Sequence, residues 1–213
     1  MRLPQSLSGK RNRAQRQSWR READGPAKAH AWAETLNDAE LLQWIQADYE
    51  TAFEVLFDRY HDSLRAFAAS IAGEYHADEV VQEVFLDVWR RRHALKAKAS
   101  LRAYLFQATR SRSLNAKRGR TRWARRFMGL DAAHNAIAPQ ATSSGDELAQ
   151  AIAQAVACLP ERQQTAFRLR REHDLSYAEI AVAMEVKPKT VENHLRRAAQ
   201  AVRDAIPAEL LRP

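Results

Sequence analysis

An all-helical protein built from two small helical domains joined by a flexible linker is what this sequence predicts, and three observations predict it. Apolar residues recur at spacings of three and four from about residue 38 to residue 205, the period of a helix with one buried face, and the pattern breaks only once, over 127–145. Alanine, leucine, arginine and glutamate dominate, all of them good helix formers. With 6 Gly, 7 Pro and little clustering of β-branched residues, neither a β-sandwich nor a Gly-rich nucleotide fold is supported. A length of 213 residues suits one ordinary domain or two small ones.

Taken in order, residues 1–36 form a basic arm. Arg11, Arg13, Arg16, Arg20 and Arg21 stand among few large apolar residues, so residues 1–34 are expected to be disordered. Two readings stay open for the arm: contact with DNA, or no role. A first domain follows over 37–126. Asn37 or Asp38 caps a short helix carrying Leu41, Leu42 and Ile45. The run Phe53, Leu56, Phe57, Tyr60, Leu64, Phe67, Ala68, Ile71 makes a longer helix that Gly73 ends. Residues 76–92 bury Val80, Val81, Val84, Val88 and Trp89, and residues 100–124 turn Leu101, Leu105, Ala108 and Leu114 inward.

Residues 127–145 lose the period and gain Gly, Pro, Ser and Thr, which marks a linker. The second domain, 146–213, holds four shorter helices at 146–158, 160–172, 176–184 and 188–205. Pro160 and Pro188 suit first-turn positions, where the missing N–H costs nothing.

Charge is partitioned along the chain. Residues 1–30 carry a net +6, 31–89 a net −11, 90–126 a net +14 with no acidic residue at all, and 127–213 a net −1. Solvated faces of ordinary helices do not explain fourteen bases against no acid. An acidic block suits a basic partner, and the basic block suits a polyanion. No apolar run approaches the ~18 residues of a membrane span, and no secretory signal is present, so no membrane insertion is expected. Cys158, the one cysteine, rules out an internal disulfide and a multi-cysteine zinc site. It lies in an apolar run and is expected to be packed; a reducing, cytoplasmic address follows.

The most informative stretch is Ser176–Leu195. Ser176 and Glu179 have the S-x-x-E spacing of a capping box. Ile180, Ala181 and Met184 face inward, Val186 fills a turn, and Val191 and Leu195 anchor a second helix. That helix exposes Lys189, Thr190, Glu192, Asn193, Arg196 and Arg197, side chains suited to base edges and phosphates. A cap, a small crossing residue, buried valines and a basic outer face together point to a DNA-binding helix-turn-helix rather than a plain helical hairpin.

This segment, with Leu159–Pro160–Glu161–Arg162 upstream of it, resembles the carboxy-terminal domain of bacterial RNA polymerase sigma factors, in particular the extracytoplasmic-function group of the sigma-70 family. Ala77–Asp78–Glu79–Val80–Val81–Gln82–Glu83–Val84–Phe85 resembles that group's polymerase-binding helix, and Leu101–Arg102–Ala103–Tyr104–Leu105 through Thr109, Arg110 and Asn115 resembles the helix after it. The resemblance spans about residues 38–206. It implies an alternative-type sigma factor that binds core RNA polymerase and directs transcription initiation at promoter DNA, commonly held inactive by an anti-sigma factor.

The resemblance assigns core-polymerase contact to Asp78, Glu79, Gln82 and Glu83. The upstream melted (−10) element falls to Lys96, Lys98, Arg102, Arg110, Arg112, Asn115, Lys117 and Arg118, with Tyr104 and Phe106 read as core. The duplex (−35) element falls to Lys187, Lys189, Thr190, Glu192, Asn193, Arg196 and Arg197. Members of the group usually place Gly where this chain has Glu185, and a Ser cap where it has Lys187. A non-Gly residue in the left-handed region costs on the order of 1 kcal/mol, so a looser or differently shaped turn is expected.

No catalytic, metal or cofactor constellation competes. The seven histidines show no H-E-x-x-H spacing, and there is no phosphate-cradling glycine loop and no G-x-S-x-G elbow. The alternative is a two-domain helix-turn-helix regulator that binds DNA without docking on polymerase. The response-regulator version of that alternative wants strands alternating with helices in the amino-terminal half, and residues 38–125 read as helices throughout.

Overall fold

The computed structural model describes residues 26–95, 100–128 and 147–207, with side chains at 29–95, 100–122 and 147–207. Every regular element among them is a helix: α1 (Pro26–Glu34), α2 (Asp38–Gln46), α3 (Glu50–Ala72), α4 (Glu74–Arg91), α5 (Leu101–Met128), α6 (Glu147–Ala157), α7 (Glu161–Arg171), α8 (Tyr177–Met184) and α9 (Pro188–Ala205). The chain divides into two compact units, 1–59 and 60–213.

In the first unit, Asn37 caps α2. Its Oδ1 accepts from the backbone N–H groups of Ala39 and Glu40, each at 3.0 Å, and Glu40 Oε2 accepts from the Asn37 N–H at 2.9 Å. Leu41, Leu42 and Ile45 are buried. The arm expected to be disordered over 1–34 needs correcting at its end: Pro26–Glu34 is helical, with Ala29 and Ala33 buried. Arg59 holds the turn after α1, pairing with Asp38 at 2.9 Å and donating to the carbonyls of Leu36 and Glu34. Trp32, Trp44 and Tyr49 add an edge-to-face cluster with ring centroids 5.1–6.1 Å apart.

The second unit begins inside α3, not in the 127–145 linker that separates the domains expected from sequence. The reason is that α5 packs on α8 as well as on α4. Val80, Val81, Val84, Phe85 and Val88 line the buried side of α4; Leu101, Leu105 and Phe106 line that of α5. Phe67 of α3 and Phe106 meet at 5.4 Å. Trp89, expected in the buried stripe, is half-buried, and the Arg92 guanidinium lies 4.3 Å over its ring. Gly73 joins α3 to α4 at φ 91°, a conformation that β-carbon sterics deny other residues. It thereby sets the direction in which α4 leaves.

Two hydroxyls on α5, Thr109 Oγ1 and Ser113 Oγ, are fully buried with no hydrogen-bond partner among the described residues. An unpaired buried hydroxyl costs about 1–3 kcal/mol. The near-isosteric Thr109→Val is therefore expected to stabilise the protein by roughly 1 kcal/mol. Thermal unfolding checks this, and a lowered melting temperature would show that the hydroxyl has a partner in solution.

Helices α6 to α9 form the second part of this unit. Ala155, Val156 and Leu159 pack against Ala198 and Val202 of α9, with Ile152, Phe167 and Ile206 around them. Pro188 stands at the first position of α9, whereas Pro160 precedes α7 as its cap residue. Cys158 corrects an expectation: it is exposed, because α6 ends at Ala157 and the following turn faces it to solvent.

Candidate nucleic-acid interface

The helix-turn-helix forms as its residues require. Ser176 Oγ accepts from the Glu179 N–H at 3.3 Å, and Glu179 Oε2 accepts in return from the Ser176 N–H at 3.0 Å. Burial opposes ionisation of Glu179, but hydrogen bonds from the Ser176 backbone and side chain and from Ser100 outweigh it and hold the carboxyl below its ordinary pKa. Ala181 and Met184 are buried, and Val191 and Leu195 anchor α9 beneath them.

The turn is not loosened by its missing glycine. Glu185 takes the left-handed conformation itself, at φ 56° and ψ 45°, and its N–H caps the carbonyls of Ala181 and Val182. Lys187 stands at the N-cap of α9 with no side-chain cap bond.

Along α9, Lys187, Lys189, Glu192, Asn193, Arg196 and Arg197 are exposed and Thr190 is half-buried. Lys189 Nζ pairs with Glu192 Oε2 at 2.8 Å. Among these residues that is the one ion pair described, so Asn193, Arg196 and Arg197 form an open, cationic face.

The face of α4 is likewise open. Asp78, Glu79, Gln82 and Glu83 are all exposed opposite the buried valines. Their neighbours differ. Arg65 holds Asp78 at 2.8 Å and Glu74 at 3.1 Å, and the hydrogen bond to Asp78 is the chief cause of the raised Arg65 pKa. Glu83 lies 3.7 Å from Arg112. Two apolar side chains share this face and were not singled out from sequence: Tyr75, 91% exposed, and Leu86, 50% exposed. The signal for them was present, since 75, 79, 82 and 86 follow the helical spacing of a single stripe.

The residues expected at the melted element do not share one environment. Asn115 and Arg118 are exposed. Arg112 is turned to α4, 3.1 Å from Asp87, and ties the two helices together, so a carboxylate and not solvent faces it. Lys96 and Lys98 lie outside the described residues. The others meet the carboxy-terminal half of the chain, at α7 and the loop before α8. Arg102 Nη2 donates to the His173 carbonyl, and Lys117 Nζ pairs with Glu161 Oε1 at 3.0 Å. Arg110 is half-buried, and desolvation lowers its pKa. It lines a cleft of about 360 Å³ with Asn115, Arg118 and Arg162. Ser100 Oγ donates to Glu179 Oε1 at 2.9 Å and Gln107 Nε2 to Glu185 Oε1 at 3.0 Å, completing the seam.

At the centre of that seam is His173, which no sequence pattern marked. It is 6% exposed, in the loop between α7 and α8. Its ring lies 5.0 Å from Phe106 and 5.6 Å from Phe67, and neither ring nitrogen has a hydrogen-bond partner among the described residues. Burial, then the charges of Arg102 and Arg168, push its pKa down to about 4 against the pull of Asp174, so the ring is neutral at neutral pH.

Among the described residues no group of three or more His, Cys, Asp or Glu is placed to hold a metal ion, and no helix is long and apolar enough to cross a membrane.

Comparison with known proteins finds the same two segments. Residues 56–128 match Sigma-70 region 2, and residues 149–202 match Sigma-70, region 4. The RNA polymerase sigma-H factor of Pseudomonas aeruginosa is 26% identical over 180 residues, covering 79% of this chain and 93% of that protein. The ECF RNA polymerase sigma-E factor of Escherichia coli K12 is 24% identical over 180 residues, 80% of this chain and 94% of that one. Among solved structures, the sigma factor RpoE of Bartonella quintana in complex with the anti-sigma factor NepR aligns with a TM-score of 0.59 at 24% identity, over 72% of this chain and 95% of that one. CnrH in complex with the cytosolic domain of CnrY aligns at 0.58 and 20% identity, over 78% and 95%. Both structural likenesses are of fold.

Proposed function

This chain belongs to the extracytoplasmic-function group of the sigma-70 factors, alternative sigma factors that direct RNA polymerase to promoters, and we propose that it divides the work among three faces. The outer face of α4, with Gln82 at its centre and Asp78, Glu79 and Glu83 around it, docks on a basic helical surface of core polymerase. Helix α5 and the segment before it hold the melted element, with Arg102, Arg110, Asn115, Lys117 and Arg118 along its phosphates and Lys96 and Lys98 contributed by that segment. Arg112 braces α5 against α4 rather than binding DNA. The open face of α9 reads the duplex element in the major groove, through Asn193 and Arg196 on bases and Lys187, Lys189, Thr190 and Arg197 on phosphates, with Glu192 aligning Lys189.

The observation that carries this reading is the occurrence, in order on one chain, of regions 2 and 4, each presenting an exposed polar face. An anti-sigma factor is a fitting partner, because the RpoE of similar fold is held by one. We read the chain as cytoplasmic, and as a regulatory subunit without catalysis of its own.

Reconstitution with core RNA polymerase and run-off transcription on genomic fragments tests the proposal. Discrete transcripts that depend on the added chain are expected. Sequence-specific DNA binding that neither needs nor alters the polymerase would instead identify a plain helix-turn-helix regulator.

A further inference from the structure

The face of α5 proposed to hold melted DNA is not free in this structure. Ser100, Arg102, Gln107 and Lys117 each bond across to residues 161–185 of the helix-turn-helix half. Two of these, Arg102 and Lys117, are cations proposed for the phosphates. The α9 face is exposed in the same arrangement. One reading head is therefore partly covered, with Arg102 and Lys117 engaged and Asn115 and Arg118 still exposed, while the other is open.

We propose that the chain closes upon itself, with His173 as a latch that seats in an aromatic socket of Phe67 and Phe106 and keeps the melted-element face of α5 covered until polymerase and promoter draw the two halves apart. The inference rests on the assignment of α5 given above. The socket is shaped for a ring: Phe106 and Phe67 stand at 51° and 79° to the imidazole, in the tilted and edge-on arrangements that aromatic pairs favour. The polar bonds flank it, from Ser100 at one end of the seam to Lys117 at the other. The latch is made to release. An imidazole with two unpaired nitrogens gives up hydrogen bonds to water on entering the socket and regains them on leaving.

Two substitutions of His173 separate a latch from a packing residue, because they act in opposite directions. His173→Ser removes the ring and should loosen the closed form. His173→Phe keeps the ring, deletes both unpaired nitrogens and should tighten it. Neither changes the charge of the neutral residue, so electrostatic attraction to DNA is not itself altered.

The measurement is the affinity of the full chain for a fluorescein-labelled single-stranded oligodeoxynucleotide at low salt. The apparent affinity scales with the open fraction, so a gain of about tenfold is expected for His173→Ser and a loss of several-fold for His173→Phe. Effects in the same direction, or none in either variant, would overturn the latch.

A second variant covers the case of misfolding. Gln107→Cys with Glu185→Cys, in a Cys158→Ser background, is bridged by a short bis-methanethiosulfonate reagent, which expels a sulfinate as each thiol forms its disulfide and which reductant cleaves. Run-off transcription should fall at least tenfold when bridged and recover on reduction; full activity while bridged would show that closure does not matter. Transcription by the parent chain is the separate control. Its absence defeats the sigma assignment, whereas its presence with unmoved oligonucleotide affinities defeats only the latch.

Discussion

Gln82→Lys combined with Leu86→Asp is expected to abolish binding to core RNA polymerase while leaving the fold intact. This is the largest effect expected of any surface change in the chain, and the geometry of α4 is the reason. Gln82 is exposed at the middle of the stripe, and Leu86, one turn on, is 50% exposed. An exposed leucine beside a polar centre is the kind of anchor on which binding energy concentrates. Losing two such contacts costs on the order of 2 kcal/mol each, a combined fall of several hundredfold or more. Because both side chains face solvent, stability should shift by no more than roughly 0.5 kcal/mol. Reversal of Asp78 and Glu83 is a less clean probe: a lysine at 78 would sit against Arg65, and one at 83 against Arg112. Core polymerase retained at the parent level by a folded Gln82→Lys, Leu86→Asp protein in a pull-down would remove α4 from the docking surface.

Arg196→Ala or Asn193→Ala is expected to relax promoter preference at one or two positions of the duplex element and nowhere else. The two residues stand three apart on α9, both exposed, with Val191 fully buried and Leu195 9% exposed on the opposite side. Both can therefore enter one groove. Each base contact of this kind contributes about 1–3 kcal/mol of discrimination. Core binding should not change, since the face proposed for it lies on α4. A promoter library scored with each variant decides the matter; an even loss of preference along the whole promoter would mean that α9 grips phosphates without reading bases.

Most of the fold was legible because spacing alone locates a helix with one buried face. Leu41, Leu42 and Ile45, or Val80, Val81, Val84 and Val88, announce their helices and bury the predicted sides. Ser176 and Glu179 announced a capping box, and the box forms. What the sequence concealed was non-local. The helix Pro26–Glu34 is alanine-rich and weakly patterned, with a basic run before it, so nothing in it distinguishes order from disorder.

The candidate faces were legible only as outlines. Arg112 looks like any other cation of a fourteen-base block until Asp87 is found beside it. His173 stands among Arg171, Glu172 and Asp174, the composition of a solvated loop, and only the arrival of Phe67 and Phe106 from distant sequence makes it an inward residue. Periodicity reports which side of a helix is buried; it does not report what meets the polar side.

The left-handed turn residue carries a consequence of its own. Glycine at 185 would adopt φ 56° without strain, whereas glutamate bears a cost on the order of 1 kcal/mol there. Its carboxylate recovers part of that cost from α5, accepting a hydrogen bond from Gln107 and standing in the field of Arg110. The same side chain thus frustrates the helix-turn-helix alone and favours it when docked. Frustration so placed ties the comfort of a local backbone to a distant contact and keeps the energy gap between the two arrangements narrow. To carry a two-state protein from 1:99 to 99:1 takes about 5.5 kcal/mol of differential binding, an amount that a micromolar interface can supply.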